Sequence, residues 1–297
     1  MKKNFFGRAI KKVRRVFKNL YFLFFLNGLM IASVIYSYQE DQYERDLFGF
    51  LSSEVLYQVG ADKNAPDDSI IIKSMHFTYE LQSTRNQYFS HSRLNSFKAS
   101  NLQPLTFHLM TAQGSCGSYS LVLARILQEL NYEVRFPQMK VNGNYGGHIS
   151  IEVKADDGWI VLDPFYNHYF IKPGGGLASF ADVQANWDHY KKQVPQGYNM
   201  DYNYQGVRYT NWNKIPVLMP ALKKVLDITI GKEKADKLSL RNIVLRKFYF
   251  IFIVLLSLYI PLTIYSLFLF FKTPRGRQLL KRELHVQNAV MPREAIR

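Results

Sequence analysis

The chain has 297 residues, 47% of them hydrophobic, and a formal net charge of +15. That length allows one large domain or two small ones. The charge argues against a nucleic-acid partner, because residues 1–19 carry +8 and residues 272–297 carry +5, leaving +2 for everything between.

Residues 1–19 read as a basic tail without a single acid. Leu20–Tyr38 follows with nineteen uncharged residues, close to the roughly 20 apolar residues that cross a bilayer, so 20–38 is expected to be a first transmembrane helix. It is longer than the ~7–15-residue core of a secretory leader and no A-x-A-like site follows it, which argues against cleavage. Tyr38 to about Val59 keeps apolar residues at helical spacing (Leu47, Phe50, Leu51, Val55) among acids. "GADKNAP" is a loop, and Asp67 or Asp68 caps a second helix through Leu81. The polar run "STRNQYFSHSRLNSFKASNLQP" is expected to be a surface loop.

"GSCGSYS" opens a helix running to about Leu130, with the only cysteine of the chain, Cys116, at its start. Three strands are then expected, "YEVRFPQM", "HISIEV" and "WIVLD", separated by "NGNYGG" and "KADDG" turns. "GGGLASFADVQANWDHYKKQ" leads into another helix, and the Tyr- and Asn-rich run from Tyr198 to Trp212 reads as a packed surface loop, with the lining of a glycan or peptide groove as the alternative. A helix from about Val217 leads to Phe248–Phe271, twenty-four uncharged residues that form the second expected span, with Pro261 tolerated in it. Residues 272–297 form the second basic tail. Two basic tails flanking two spans follow the positive-inside pattern, which puts both termini in the cytoplasm against anionic lipid and residues 39–247 on the extracytoplasmic side. That segment is long enough for a core of its own. Helices first and an antiparallel meander second make it α+β.

Strand alternation yields a candidate constellation. Ile149, Ile151 and Val153 share one face with Ile160 and Leu162; His148, Ser150 and Glu152 share the other with Trp159, Val161 and Asp163. With Lys154–Asp157 as a four-residue loop, His148 lies opposite Asp163, close enough for a carboxylate to hold an imidazole, and a two-residue slip keeps both on the same face. Cys116 at a helix start supplies a thiol where unpaired amides favour negative charge. Cys116 is then a nucleophile, His148 its base and Asp163 the acid that orients the base. The Cys116 amide is the expected oxyanion donor, with Gln113 as a possible second, and Gly114 and Gly117 allow substrate and strand layer to approach. His76, His91, His108, His168, His189 and His285 show no metal spacing, so no cofactor and no metal is expected.

"GSCGS", "HISIEV" and "GWIVLDP", in that order, resemble the transglutaminase-like superfamily of papain-fold cysteine enzymes, in its membrane-anchored bacterial type. The resemblance covers about residues 65–170. It implies a papain-like core between the two spans, a bacterial plasma membrane, and the Cys116–His148–Asp163 triad. Glu152 matches the family's strand glutamate, taken as structural, and Trp159 its tryptophan beside the site. Ser150 stands where many members have Trp, and Gly117 where many have an aromatic. The implied activity is attack on an amide or peptide bond through a thioester, ending in hydrolysis. Acyl transfer to an amine and a non-catalytic scaffold in an envelope assembly stay open. Protein, peptide or envelope-polymer substrates, membrane lipids and other membrane subunits are the partners this implies.

Overall fold

The structure, a computed structural model, describes residues 18–60, 67–89, 104–112, 115–279 and 281–282. These divide into two units, one holding the described residues up to Glu40 and from Phe248 onward, the other Asp41–Lys247.

Helix α1 (Leu20–Val59) runs unbroken for 40 residues, about 60 Å at 1.5 Å per residue. The expected span at 20–38 and the amphipathic stretch after it are one element, because no Gly or Pro interrupts the chain between Gly28 and Gly49. From Phe48 on, its apolar positions Phe48, Leu51 and Val55 are buried in the core of the second unit. Helix α2 (Asp67–Phe89) extends eight residues past the expected end at Leu81, so the front of the expected surface loop is helical, residues 90–103 lie outside the described residues, and Pro104 caps the next helix. Helices α3 (Leu105–Thr111) and α4 (Cys116–Glu129) complete this layer. Helix α4 is buried on every side from Ser118 to Leu127, which makes it the central helix, packed between α2, α3 and the strands.

The strands are β1 (Glu133–Arg135), β2 (Gln138–Val141), β3 (Asn144–Ile149), β4 (Ile151–Ala155), β5 (Gly158–Asp163), β6 (His168–Tyr169) and β7 (Asn203–Arg208). They form two antiparallel sheets, ordered β1-β4-β5-β6 and β3-β2-β7. Two of the three expected strands are each divided between the sheets. "YEVRFPQM" breaks at Phe136–Pro137, where proline has no N–H for a ladder, and "HISIEV" breaks at Ser150. The two breaks are bonded to each other, Ser150 N donating to Pro137 O at 3.3 Å. The chain thus changes sheet twice at one level.

Asn142 (φ 49°) and Gly143 (φ 77°) make a tight turn of positive-φ residues, the geometry that Asn-Gly favours. Strand β3 therefore starts at Asn144, four residues earlier than expected. In the next hairpin Ala155 pairs with Gly158 and Glu152 with Val161. The loop is two residues, and the register is two residues away from the expected one. The faces survive the slip: Ile151, Val153, Ile160 and Leu162 join the helices in an aliphatic core, while Val161 points into a second core with Met139, Phe170, Phe180 and Tyr204. That second core is capped by α5 (Phe180–Ala185), whose Ser179 and Asp182 form a reciprocal capping box, and by α6 (Trp187–Tyr190). The Tyr- and Asn-rich run, expected as loop, supplies β7.

Helices α7 (Leu218–Thr229), α8 (Lys232–Lys237) and α9 (Arg241–Leu245) precede α10 (Lys247–Phe271). Helices α1 and α10 are both long and apolar enough to cross a membrane. Within the first unit they run antiparallel, with ring contacts between Phe24 and Phe270 and between Tyr36 and Phe248. Asn27 clamps them: its Nδ2 donates to Ser266 Oγ at 2.8 Å and its Oδ1 accepts from Thr263 Oγ1 at 2.7 Å. Such side-chain bonds hold helices together where both faces are apolar.

Candidate active site

Cys116 is the first residue of α4 and half-buried. The chain reaches it through a strained turn: Ala112 lies at φ 48°, and Ser115 at φ 45°, ψ −124°, a region that residues with a Cβ seldom enter. Ser115 N donates to Ala112 O at 3.1 Å and closes this turn. Gln113 and Gly114, expected beside the thiol, lie outside the described residues. The first amides of α4 have no carbonyl within the helix to bond, and that of Cys116 is the first of them. A Cβ added at Gly117 would meet nothing within 4 Å, so the strand layer does not require a glycine there, contrary to expectation.

One turn further on, Ser120 Oγ donates to Ile149 O at 3.0 Å. This fastens the thiol's helix to the strand end that carries His148. His148 is fully buried, and its Nε2 donates to Asp163 Oδ2 at 2.6 Å, both side chains being shielded from water. The two are not cross-strand partners, as the expected register had them. In the ladders His148 faces Met139 in β2 and Asp163 faces His168 in β6. They meet because β3 and β5 belong to different sheets and their ends converge.

The remaining polar atoms are the informative ones. His148 Nδ1 and Asp163 Oδ1 are buried and have no hydrogen-bond partner among the described residues. Cys116 makes no bond of ordinary geometry with Nδ1, yet it lies close enough to act on the ring. Burial alone would push the His148 pKa down; the charge and hydrogen bond of Asp163, together with Cys116, outweigh it and raise it to about 9. A carboxylate on Nε2 fixes the neutral tautomer with Nδ1 open as acceptor, and the imidazolium as the favoured charged form.

Aromatic rings enclose the imidazole. Tyr202 stacks on it with centroids 4.1 Å apart and planes within 7°, and Tyr166 lies 5.9 Å away. Tyr166 also packs against Tyr198 at 4.6 Å, and Phe165 bridges from His148 to Tyr119 of α4. Neither Tyr202 nor Tyr166 stands out in the sequence as a site residue. The available signal was the aromatic density of "DPFYN" and "YNMDYNY". Arg241 of α9 is a further basic neighbour: burial lowers its pKa, Cys116 acts to raise it and Arg208 to lower it further.

Glu152 and Trp159, expected beside the thiol, belong to a separate cluster. Arg135 Nε and Nη2 donate to Glu152 Oε2 and Oε1 at 2.7 and 3.0 Å, and Tyr209 donates to Oε2 at 2.6 Å. The guanidinium lies 3.8 Å from the Trp159 ring centre and 4.9 Å from that of Tyr209. Among the other histidines, His76 Nδ1 bonds Asn167 Oδ1 at 2.7 Å and steadies the turn after β5. His108 contacts Ser118 Oγ at 2.9 Å, and burial, with Lys247 nearby, lowers its pKa to about 4. His91 and His285 lie outside the described residues. Among the described residues no three His, Cys, Asp or Glu side chains converge as a metal site.

No known protein family, no curated protein and no solved structure matches this chain.

Proposed function

We propose that this chain is a membrane-anchored thiol enzyme of the transglutaminase-like, papain-fold type, which hydrolyses amide or peptide bonds. One observation carries the reading: a buried His148 held by Asp163 through Nε2, with its Nδ1 left unpaired beside the only thiol of the chain.

In this reaction the proton shared by Cys116 and His148 is held on Nδ1, as the raised pKa of the imidazole favours, and Sγ bonds to the substrate's carbonyl carbon. The charge moved onto the carbonyl oxygen meets the first-turn amides of α4. The C–N bond then breaks, His148 returns the proton to the leaving amine, and a thioester remains on Cys116. Water attacks the thioester while His148 accepts its proton, releasing the acid and restoring the thiol. Asp163 holds Nε2 throughout and stabilises the imidazolium. The spans anchor the enzyme in a membrane, with the site on the extracytoplasmic side as the basic tails direct, and the motif resemblance favours a bacterial plasma membrane.

Because Cys116 is the sole cysteine, any thiol-directed probe on the full-length protein reports on this site alone. The test is rapid labelling of the wild type by an electrophile, together with release of peptide fragments from a peptide library. Both are expected to vanish in Cys116→Ala, and labelling to slow sharply in His148→Ala. A thiol that reacts at the same rate with and without His148 would overturn the triad and favour a binding scaffold. Incorporation of an added primary amine into the acyl product would instead make the enzyme a transferase.

A further inference from the structure

Helix α7 is built the wrong way round for a helix of a soluble domain. At 100° per residue, Leu218, Met219, Leu222, Val225, Leu226 and Ile228 occupy about half of its circumference, and Lys223, Lys224 and Asp227 lie opposite. Such a helix ordinarily turns its apolar face inward. Here it is the polar face that is partnered: Lys223 Nζ lies 3.0 Å from Asp227 and 2.9 Å from Asp236 of α8, its principal packing partner. No residue of α7 is buried, and Leu218, Val225 and Ile228 are 61%, 56% and 77% exposed.

We infer that α7 lies in the surface of the lipid bilayer, with this face among the acyl chains. The inference rests on the membrane anchoring proposed above. Three features select lipid as the occupant. Only residues 230–246 separate α7 from the membrane-length helix α10. Residues 214–237 carry six lysines against three acids, a balance that suits anionic headgroups. The apolar arc is broad and the polar arc charged, the pattern of helices that lie in the plane of a membrane. Docked in this way, α7 fixes the height and tilt of the thiol domain above the membrane, and so selects substrates that reach the site close to the lipid.

The test uses the full-length protein in phosphatidylglycerol-containing nanodiscs. Cys116→Ser removes the only native thiol, and Val225→Cys, or Val254→Cys on α10, then carries an environment-sensitive fluorophore. The expected result is a blue shift at both positions, quenching by a lipid-borne nitroxide and protection from aqueous iodide. Iodide quenching at 225 with protection at 254 would overturn the inference and leave the anchoring intact; iodide quenching at 254 would overturn the anchoring itself. Protection from both quenchers at 225 means that protein covers the face, a second copy or a partner, and also overturns the inference. Ile228→Cys repeats the measurement should Val225→Cys fail to fold.

Discussion

Two buried carboxylates lie on neighbouring strands, Glu152 on β4 and Asp163 on β5, each paired with a basic side chain that aromatic rings flank. At Glu152 both oxygens are used, by Arg135 and Tyr209. At Asp163 one oxygen holds His148, the other has no partner among the described residues, and the far nitrogen of His148 is open as well. A saturated cluster has nothing left to offer and serves as structure. An unsaturated one retains a proton acceptor beside a thiol, at the desolvation cost that buried unpaired polar atoms carry. This contrast, more than any motif, is what singles out the Asp163 cluster as the candidate for chemistry and the Glu152 cluster as structure.

Substitutions in the two clusters should therefore fail in opposite ways. The largest expected effect is in Cys116→Ala: turnover falls on the order of 10⁴-fold or more, while thermal melting of the detergent-solubilised protein changes little, since the side chain is small and not fully buried. Asp163→Asn comes next, with a loss of about 10²–10⁴-fold in turnover from the wrong tautomer and a smaller fall in melting than Glu152→Ala gives, because an amide in place of the carboxylate still bonds the imidazole across the two sheets. Glu152→Ala reverses the pattern. It leaves Arg135 without its partner at a cost of about 3 kcal/mol, or about 6–12 °C in melting temperature, with turnover close to wild type. Comparable turnover losses from Glu152→Ala and Asp163→Asn would erase the distinction.

The pH response sharpens the same comparison. His148 has a raised pKa in the folded chain, so its contribution to stability is complete below its ordinary value of about 6.5 and disappears as pH rises through about 9. Melting temperature and turnover should both decline over that window, turnover because the imidazolium that protonates the leaving amine is lost. In Asp163→Asn the turnover decline moves to lower pH, because the charge that raises His148 is gone; a decline that stays fixed would assign it to another group. The smallest effect is expected from Tyr202→Leu, about tenfold in turnover from loss of the stacked ring on the imidazolium, with recovery in Tyr202→Phe.

Much of this was legible from residue order. Alternation along "HISIEV" and "WIVLD" names His148 and Asp163 as partners on one face; the two do bond, but from strands of different sheets whose ends converge, and only the faces of β4 and β5 survive the two-residue slip. The break at Ser150 was not legible: nothing in "HISIEV" marks it, and it follows from where Pro137 ends its neighbour. Helix α1 was read in two pieces because its composition changes at Tyr38 while its backbone propensity does not. Tyr202 was lost in a loop because its role depends on β7 returning to pair with β2, a long-range contact without a local signature. The amphipathic pattern of α7 is local, but the side on which its partner lies is decided by Lys223 and Asp236, far from any periodicity.

The sheet change at Pro137 and Ser150 bears on which site residues the fold itself needs. Because His148 stands on one sheet and Asp163 on the other, their bond is also a rivet across the seam, and losing either loosens the fold along with the chemistry. Cys116 carries no such second duty. Of the three groups in the proposed site, the thiol is therefore the one whose loss leaves the fold as it was, while the imidazole and the carboxylate answer to the architecture whether or not any chemistry takes place.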